Sequence, residues 1–111
     1  MWQFKMKKYQ LRFFFDGVSG DCLWSGNETT CQKFGYPIFI EDLALPVSIV
    51  ASAKKLVSRY TAFAAADFQW PVSDSKSQFS LDATRFLARL KESLPDNFLV
   101  VDESGMTLTQ T

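Results

Sequence analysis

The chain has no histidine and only two cysteines among its 111 residues. Without histidine, the Ser–His and Cys–His pairs that activate nucleophiles cannot be built. A zinc site would have to be assembled largely from carboxylates, which is not how structural or catalytic zinc is usually held. An excess of one charge is missing too, because twelve Lys and Arg balance twelve Asp and Glu. That removes the simplest reason to expect nucleic acid or an anionic membrane as a direct partner. No apolar run approaches the roughly 18 residues of a membrane span, and neither common Gly-rich phosphate loop is present. The N-terminal lysines precede only a short apolar run, residues 11–15, which Arg12 interrupts; this does not match an export signal. The expected location is the cytoplasm, and no cofactor is expected. Cys22 and Cys31 would then be free thiols, with a disulfide between them as the alternative.

What the chain has in quantity is aromatic surface: eleven Phe, three Trp and three Tyr. Large rings bring much buried area per residue, so one core is affordable at this length without staples. A single domain over residues 1–111 is expected, with no internal repeat and a polar tail, residues 104–111, that frays.

Trp2, Phe4 and Met6 alternate with polar residues, as do Tyr9, Leu11, Phe13 and Phe15, which is a strand pattern. The two apolar sets are out of phase across Lys7-Lys8. Either a β-bulge there restores one face, which is the favoured reading, or residues 2–6 cover a different surface. Residues 16–21 have the Gly and Asp content of a hairpin connection, and residues 22–25 return as a second strand. Residues 26–33 are polar and aperiodic and read as a loop. Residues 36–41 read as a short third strand that Pro37, lacking a donor, pushes to an edge or a strand start.

Beyond Pro46 the pattern changes period. Ile49, Val50, Ala53, Leu56, Val57, Tyr60, Phe63 and Ala64 predict a helix over residues 47–65, about 28 Å long at about 1.5 Å per residue. Pro46 suits its first turn, and Glu41 and Asp42 lie where acids favourably oppose its positive end. Residues 67–74 break it, because Pro71 biases Trp70 away from helical dihedrals. A second helix follows, with Ser75 and Gln78 spaced as a capping box and Phe79, Ala83, Phe86, Leu87, Leu90 and Leu94 as its buried stripe. Residues 98–101 are apolar at every position, as in a strand inside a sheet and covered on both faces. The expected fold is α+β: a small, mainly antiparallel sheet made of the N-terminal hairpin, a short third strand and the C-terminal strand, with two helices packed on one face.

Paired carboxylates remain available for acid–base chemistry, as Glu41 with Asp42, Asp102 with Glu103, or Asp16 with Asp21. Nothing in the sequence marks a substrate pocket around any of them, and adjacent acids are common on surfaces. Residues 13–53 carry Asp16, Asp21, Glu28, Glu41 and Asp42 against a single Lys33. This local acidity could face a basic partner, and a solvated surface explains it more simply. Trp24 and Trp70, both beside acidic loops, are candidate binding anchors. Each ring folding back on the core is the competing explanation.

One resemblance reaches further. The run Cys22-Leu23-Trp24-Ser25, then Phe34-Gly35-Tyr36-Pro37-Ile38 leading into Leu43-Ala44-Leu45-Pro46-Val47-Ser48, resembles small immunity proteins of bacterial toxin–immunity systems. The likeness is to those of contact-dependent growth inhibition in particular. It continues through Leu56 and Tyr60, Trp70-Pro71, and Phe79, Leu87 and Leu90, covering residues 22–101. Val47 departs from an expected leucine, and Phe68-Gln69 stands where an acid is more typical. The resemblance implies a non-enzymatic cytoplasmic inhibitor that binds a cognate toxin C-terminal domain, often a nuclease, one to one and occludes its active site. Because a nuclease site is electropositive, Asp16, Asp21, Glu28, Glu41 and Asp42, with Trp24 and Trp70, are the expected contact residues. A small non-inhibitory adaptor or secretion chaperone is the alternative, and a small nucleic-acid-related enzyme using carboxylates is the third reading.

Overall fold

The computed structural model of the chain describes residues 7–108. The expected strand over residues 2–6 therefore lies outside the described residues, while Lys7 and Lys8, the expected place of the bulge, lie just ahead of β1 and outside any strand. Strand β1 is Tyr9–Phe13, β2 is Leu23–Ser25 and β3 is Phe98–Asp102; helix α1 is Glu28–Phe34, α2 is Val47–Ala65 and α3 is Lys76–Ser93. A 3₁₀ turn, Ile40–Leu43, leads into α2. The class is α+β, as the periodicities predict.

The sheet is mixed, not mainly antiparallel, and its order is β2-β1-β3. β1 pairs antiparallel with β2, Leu11 facing Ser25 and Phe13 facing Leu23. It pairs in parallel with β3 over its full length, from Tyr9 opposite Phe98 to Phe13 opposite Asp102. The two long helices return the chain to the end from which β1 sets out, and a strand entered that way runs parallel. β1 thus takes the central place expected for β3. At the edge, β3 buries only Val100, while Leu99 and Val101 are 39% and 40% exposed. Continuous apolarity misleads here because one face of that strand remains open.

Two more expectations fail between β2 and α2. Residues 28–34 form α1, not a loop. Asn27 caps it, its side-chain oxygen accepting from the Thr30 amide at 3.0 Å. Thr30 is itself buried, and its hydroxyl accepts from the Gln10 amide at 2.8 Å, tying α1 to β1. A polar side chain on the inward face hides a short helix from any search for apolar periodicity. The third strand reduces to a single bridge between Trp24 and Pro37. Ser25 N donates to Tyr36 O and Ile38 N to Leu23 O, but Pro37 has no amide to extend the ladder, and the chain turns away at Ile40.

The helices behave as their spacing predicts. α2 buries Ile49, Ala53 and Leu56, and α3 buries its whole predicted stripe. They cover one face of the sheet, where Tyr9, Leu11 and Phe13 point inward. The Phe13 ring lies 5.7 Å from Phe86, and Phe15 lies 5.1 Å from Tyr60 and 5.3 Å from Phe79. Helix α2 stops ahead of Pro71, at consecutive left-handed residues Asp67 (φ 59°) and Phe68 (φ 60°). The Phe68 amide closes the end on Phe63 O at 3.0 Å. Only half of the predicted capping box forms on α3. Ser75 Oγ accepts from the Gln78 amide, but the Ser75 amide goes to Asp74, and the Gln78 side chain donates to Asp82 at 3.0 Å. Residues 104–108 hold bonds: Asp102 accepts from Ser104 and Thr107, and the Leu108 amide reaches Thr84 Oγ1 at 2.8 Å.

Candidate protein-binding surface

The predicted acids do not form one set. Asp16 opens the connection after β1, and its Oδ1 accepts from Val18 N, Ser19 N and Ser19 Oγ at 3.0–3.1 Å. An aspartate held this way folds its own turn. Burial pushes the Asp16 carboxyl up, but these bonds outweigh it and leave the pKa below the ordinary value. Gly17 sets how deeply the turn seats. It takes φ +76°, and a Cβ there would lie 2.8 Å from Ala64 Cβ on α2. Glycine is required by both dihedral and space.

Across the turn, Asp21 stands where three acids from two segments converge. Its carboxyl is pushed up, first by partial burial and then by the negative charges of Asp16 and Glu41. Glu41 comes from the 3₁₀ turn and ion-pairs with Lys54 of α2 at 2.6 Å, which holds its carboxyl below the ordinary range. Asp21, Phe39, Ile40, Glu41, Lys54 and Val57 line a hollow of about 170 Å³. Phe39 at its rim is 57% exposed and Val18 on the adjacent turn 90%. An exposed ring with an exposed branched aliphatic nearby is apolar surface of the kind that marks an interaction site, and the acids around it suit a polar rim.

The other predicted residues lie elsewhere or are occupied. Asp42 is exposed on the same 3₁₀ turn, next to Glu41. Glu28 is on the first turn of α1, accepting from Gln32 Nε2 at 3.2 Å, where it opposes the helix dipole. Trp24 is 6% exposed, stacked at 4.7 Å on Phe14, and its indole donates to Phe14 O at 3.1 Å. A ring so enclosed and satisfied offers little surface to a partner. Trp70 is half-buried, stacked at 4.2 Å on Phe63 and 5.1 Å from Phe79. It closes the open end between α2 and α3.

Both cysteines are free, Cys22 buried and Cys31 exposed. Burial, with Asp21 next to it, pushes the Cys22 thiol up to about 12, so it is an inert core group. Among the described residues no group of three His, Cys, Asp or Glu could hold a metal ion. No helix among them is long and apolar enough to cross a membrane.

Sequence reasoning missed the densest charge cluster. Arg59 on α2 grips Asp74 with Nε and Nη2 and Asp82 on α3 with Nη1, all at 2.8 Å. The three side chains are 12–33% exposed. Arg59 and Asp82 sit on predicted helices and Asp74 at the second helix start, so the available signal was three charges flanking one break. No known protein-family model matches the sequence, and no curated protein shows significant similarity to it.

Proposed function

We propose that the protein is an immunity-type inhibitor: it binds one cognate toxin domain, a nuclease, in a 1:1 cytoplasmic complex, occludes that domain's active site, and turns over no substrate. Two lines support the reading. The first is the resemblance over residues 22–101. The second, which carries it, is the convergence of Asp16, Asp21 and Glu41 beside exposed Phe39 and Val18. Raising the Asp21 carboxyl pKa costs the free protein stability, and an incoming cation returns it. A phosphate-binding nuclease cleft presents such cations. Asp42 extends the same surface. Glu28 adds to the long-range field, while Trp24 and Trp70 act from behind by packing.

Co-expression tests this directly. The chain should rescue cells from the toxin domain encoded in the neighbouring reading frame. Reversing charge at Glu41, Asp42 and Glu28 should slow association about tenfold and flatten its salt dependence. Unchanged association and salt dependence would remove the acidic surface from the mechanism, and failure to rescue would remove the function.

A further inference from the structure

A second hollow, of about 270 Å³, lies between α2 and α3 on the side of the molecule that carries the Arg59 cluster. The helices run antiparallel there, since Arg59 late in α2 meets Asp82 early in α3, and Ser48 at the start of α2 meets Arg89 late in α3. Lys55 and Arg59 are one turn apart on α2, as are Arg85 and Arg89 on α3, so four cationic groups face one space. Only Arg59 is neutralised by carboxylates. Lys55, Arg85 and Arg89 take part in no ion pair among the described residues, although Arg85 lies near enough to Asp82 for its charge to be felt. The Arg89 Nη2 donates to Ser48 Oγ at 3.0 Å, bracing that guanidinium across the gap. The floor is Leu56 and Phe86, each 3% exposed, and Ser52 adds a hydroxyl to the wall.

Lys55, Arg85 and Arg89 outnumber the one carboxylate on the wall, Asp82, which Arg59 already engages; they repel one another, and a multiply charged anion relieves that repulsion. A carboxylate is matched by a single guanidinium, as Arg59 with Asp74 already illustrates. A group carrying two or more charges with several acceptor oxygens needs two arginine forks and a lysine, which this wall supplies. The apolar floor strengthens each interaction by lowering the local dielectric. The cations cluster on two turns of each helix instead of tracking along the molecule, so a compact anion fits better than an extended backbone.

We propose that the α2–α3 groove is a binding site for a small phosphate compound, of the pyrophosphate or nucleotide class, held by Lys55, Arg85 and Arg89. The site is separate from the acidic surface of the toxin reading and stands or falls independently of it. Calorimetric titration of the full chain with sodium pyrophosphate at constant ionic strength should reveal one saturable site. A charged hydrogen bond is worth about tenfold in affinity, so Arg85→Gln with Arg89→Gln should weaken it about a hundredfold. Lys33→Gln, on α1, should leave it unchanged. Both arginines are exposed, and circular dichroism checks that the variant folds; Lys55→Gln, expected about tenfold weaker, serves if it does not. A nucleoside triphosphate binding at least as tightly as pyrophosphate supports the proposal. Absence of saturation in the millimolar range, full binding by the arginine variant, or an equal loss in Lys33→Gln overturns it. So does tighter binding by a glutamate-rich peptide or by an oligonucleotide, whose affinity would fall steeply with salt.

Discussion

The acidic surface around residues 16–21 and 39–42 and the basic groove between α2 and α3 differ in what holds them in place. The acidic side is made of short segments that fold themselves: Asp16 bonds its own turn, and the 3₁₀ turn spans four residues. Among the described residues its acids meet the helices only through an exposed pair, Glu41 with Lys54, while Ile40 and Leu43 anchor the 3₁₀ turn in the core. The basic groove exists only because two long helices pack across a common core, with Phe86 beneath and Arg59 joining the walls. The ionised acids also have opposite effects on the two sides. Asp74, paired with Arg59, is stabilised as an anion, whereas Asp21 is penalised as one. The groove is therefore bound to how the two helices pack, and the acidic surface to two short segments seated on the core through Gly17, Ile40 and Leu43.

Substitutions should separate the two. The largest loss is expected beneath the groove, where Phe86→Ala removes a buried ring packed on Phe13. It should cost about 3–5 kcal/mol, read from the shift in denaturant midpoint. Next comes Arg59→Ala, which leaves Asp74 and Asp82 without their shared partner. Because the three groups remain partly open to water, we expect about 2 kcal/mol, below the range for fully buried pairs.

The same cluster sets an acid limit. The bond from Arg59 holds the folded Asp74 carboxyl below its unfolded value. Its stabilisation is present above the ordinary carboxylate range and is lost as pH falls through the lowered folded value. Melting curves of Asp74→Asn should accordingly lie lower at neutral pH and converge on the parent at acid pH.

On the acidic side, Gly17→Ala should cost about 1–2 kcal/mol by forcing a left-handed alanine against Ala64. Under the two proposals it should slow association with the toxin domain while leaving pyrophosphate affinity unchanged; equal loss of both would mean the two regions are coupled. The smallest effects come last. Lys54→Ala should change stability within measurement error, because an exposed pair contributes little. Asp21→Asn should raise the melting temperature slightly at neutral pH. The raised folded pKa makes the anion a burden that disappears as pH falls through that value, so the gain should vanish in acid.

How much was legible in the chain follows the same division. The helix over residues 47–65 matches α2 end to end, because its apolar stripe is continuous and packing reinforces the local preference. The stripe of α3 was equally readable. Helix α1 was not, because what it buries is Thr30, held by hydrogen bonds and not by apolar contact. Asp16 and Glu28 were readable as acids, but their roles in a turn and a helix start depend on which backbone amides come within reach. Trp24 illustrates a further limit. Its loop-side position fitted an anchor, and the position of Phe14 O made it a satisfied core ring.

By itself, the sequence determined the α+β class, both long helices with their buried faces, and the exclusion of histidine-based catalysis. These depend on composition and on periods repeated within one segment, which neighbours in space do not alter. Only the tertiary structure decided that β3 pairs in parallel at an edge, that Asp21 and Glu41 line one hollow, and that Lys55, Arg59, Arg85 and Arg89 share one groove. Each of those joins residues far apart in the chain. Their contact is fixed by how the helices close over the sheet, and no local preference encodes it.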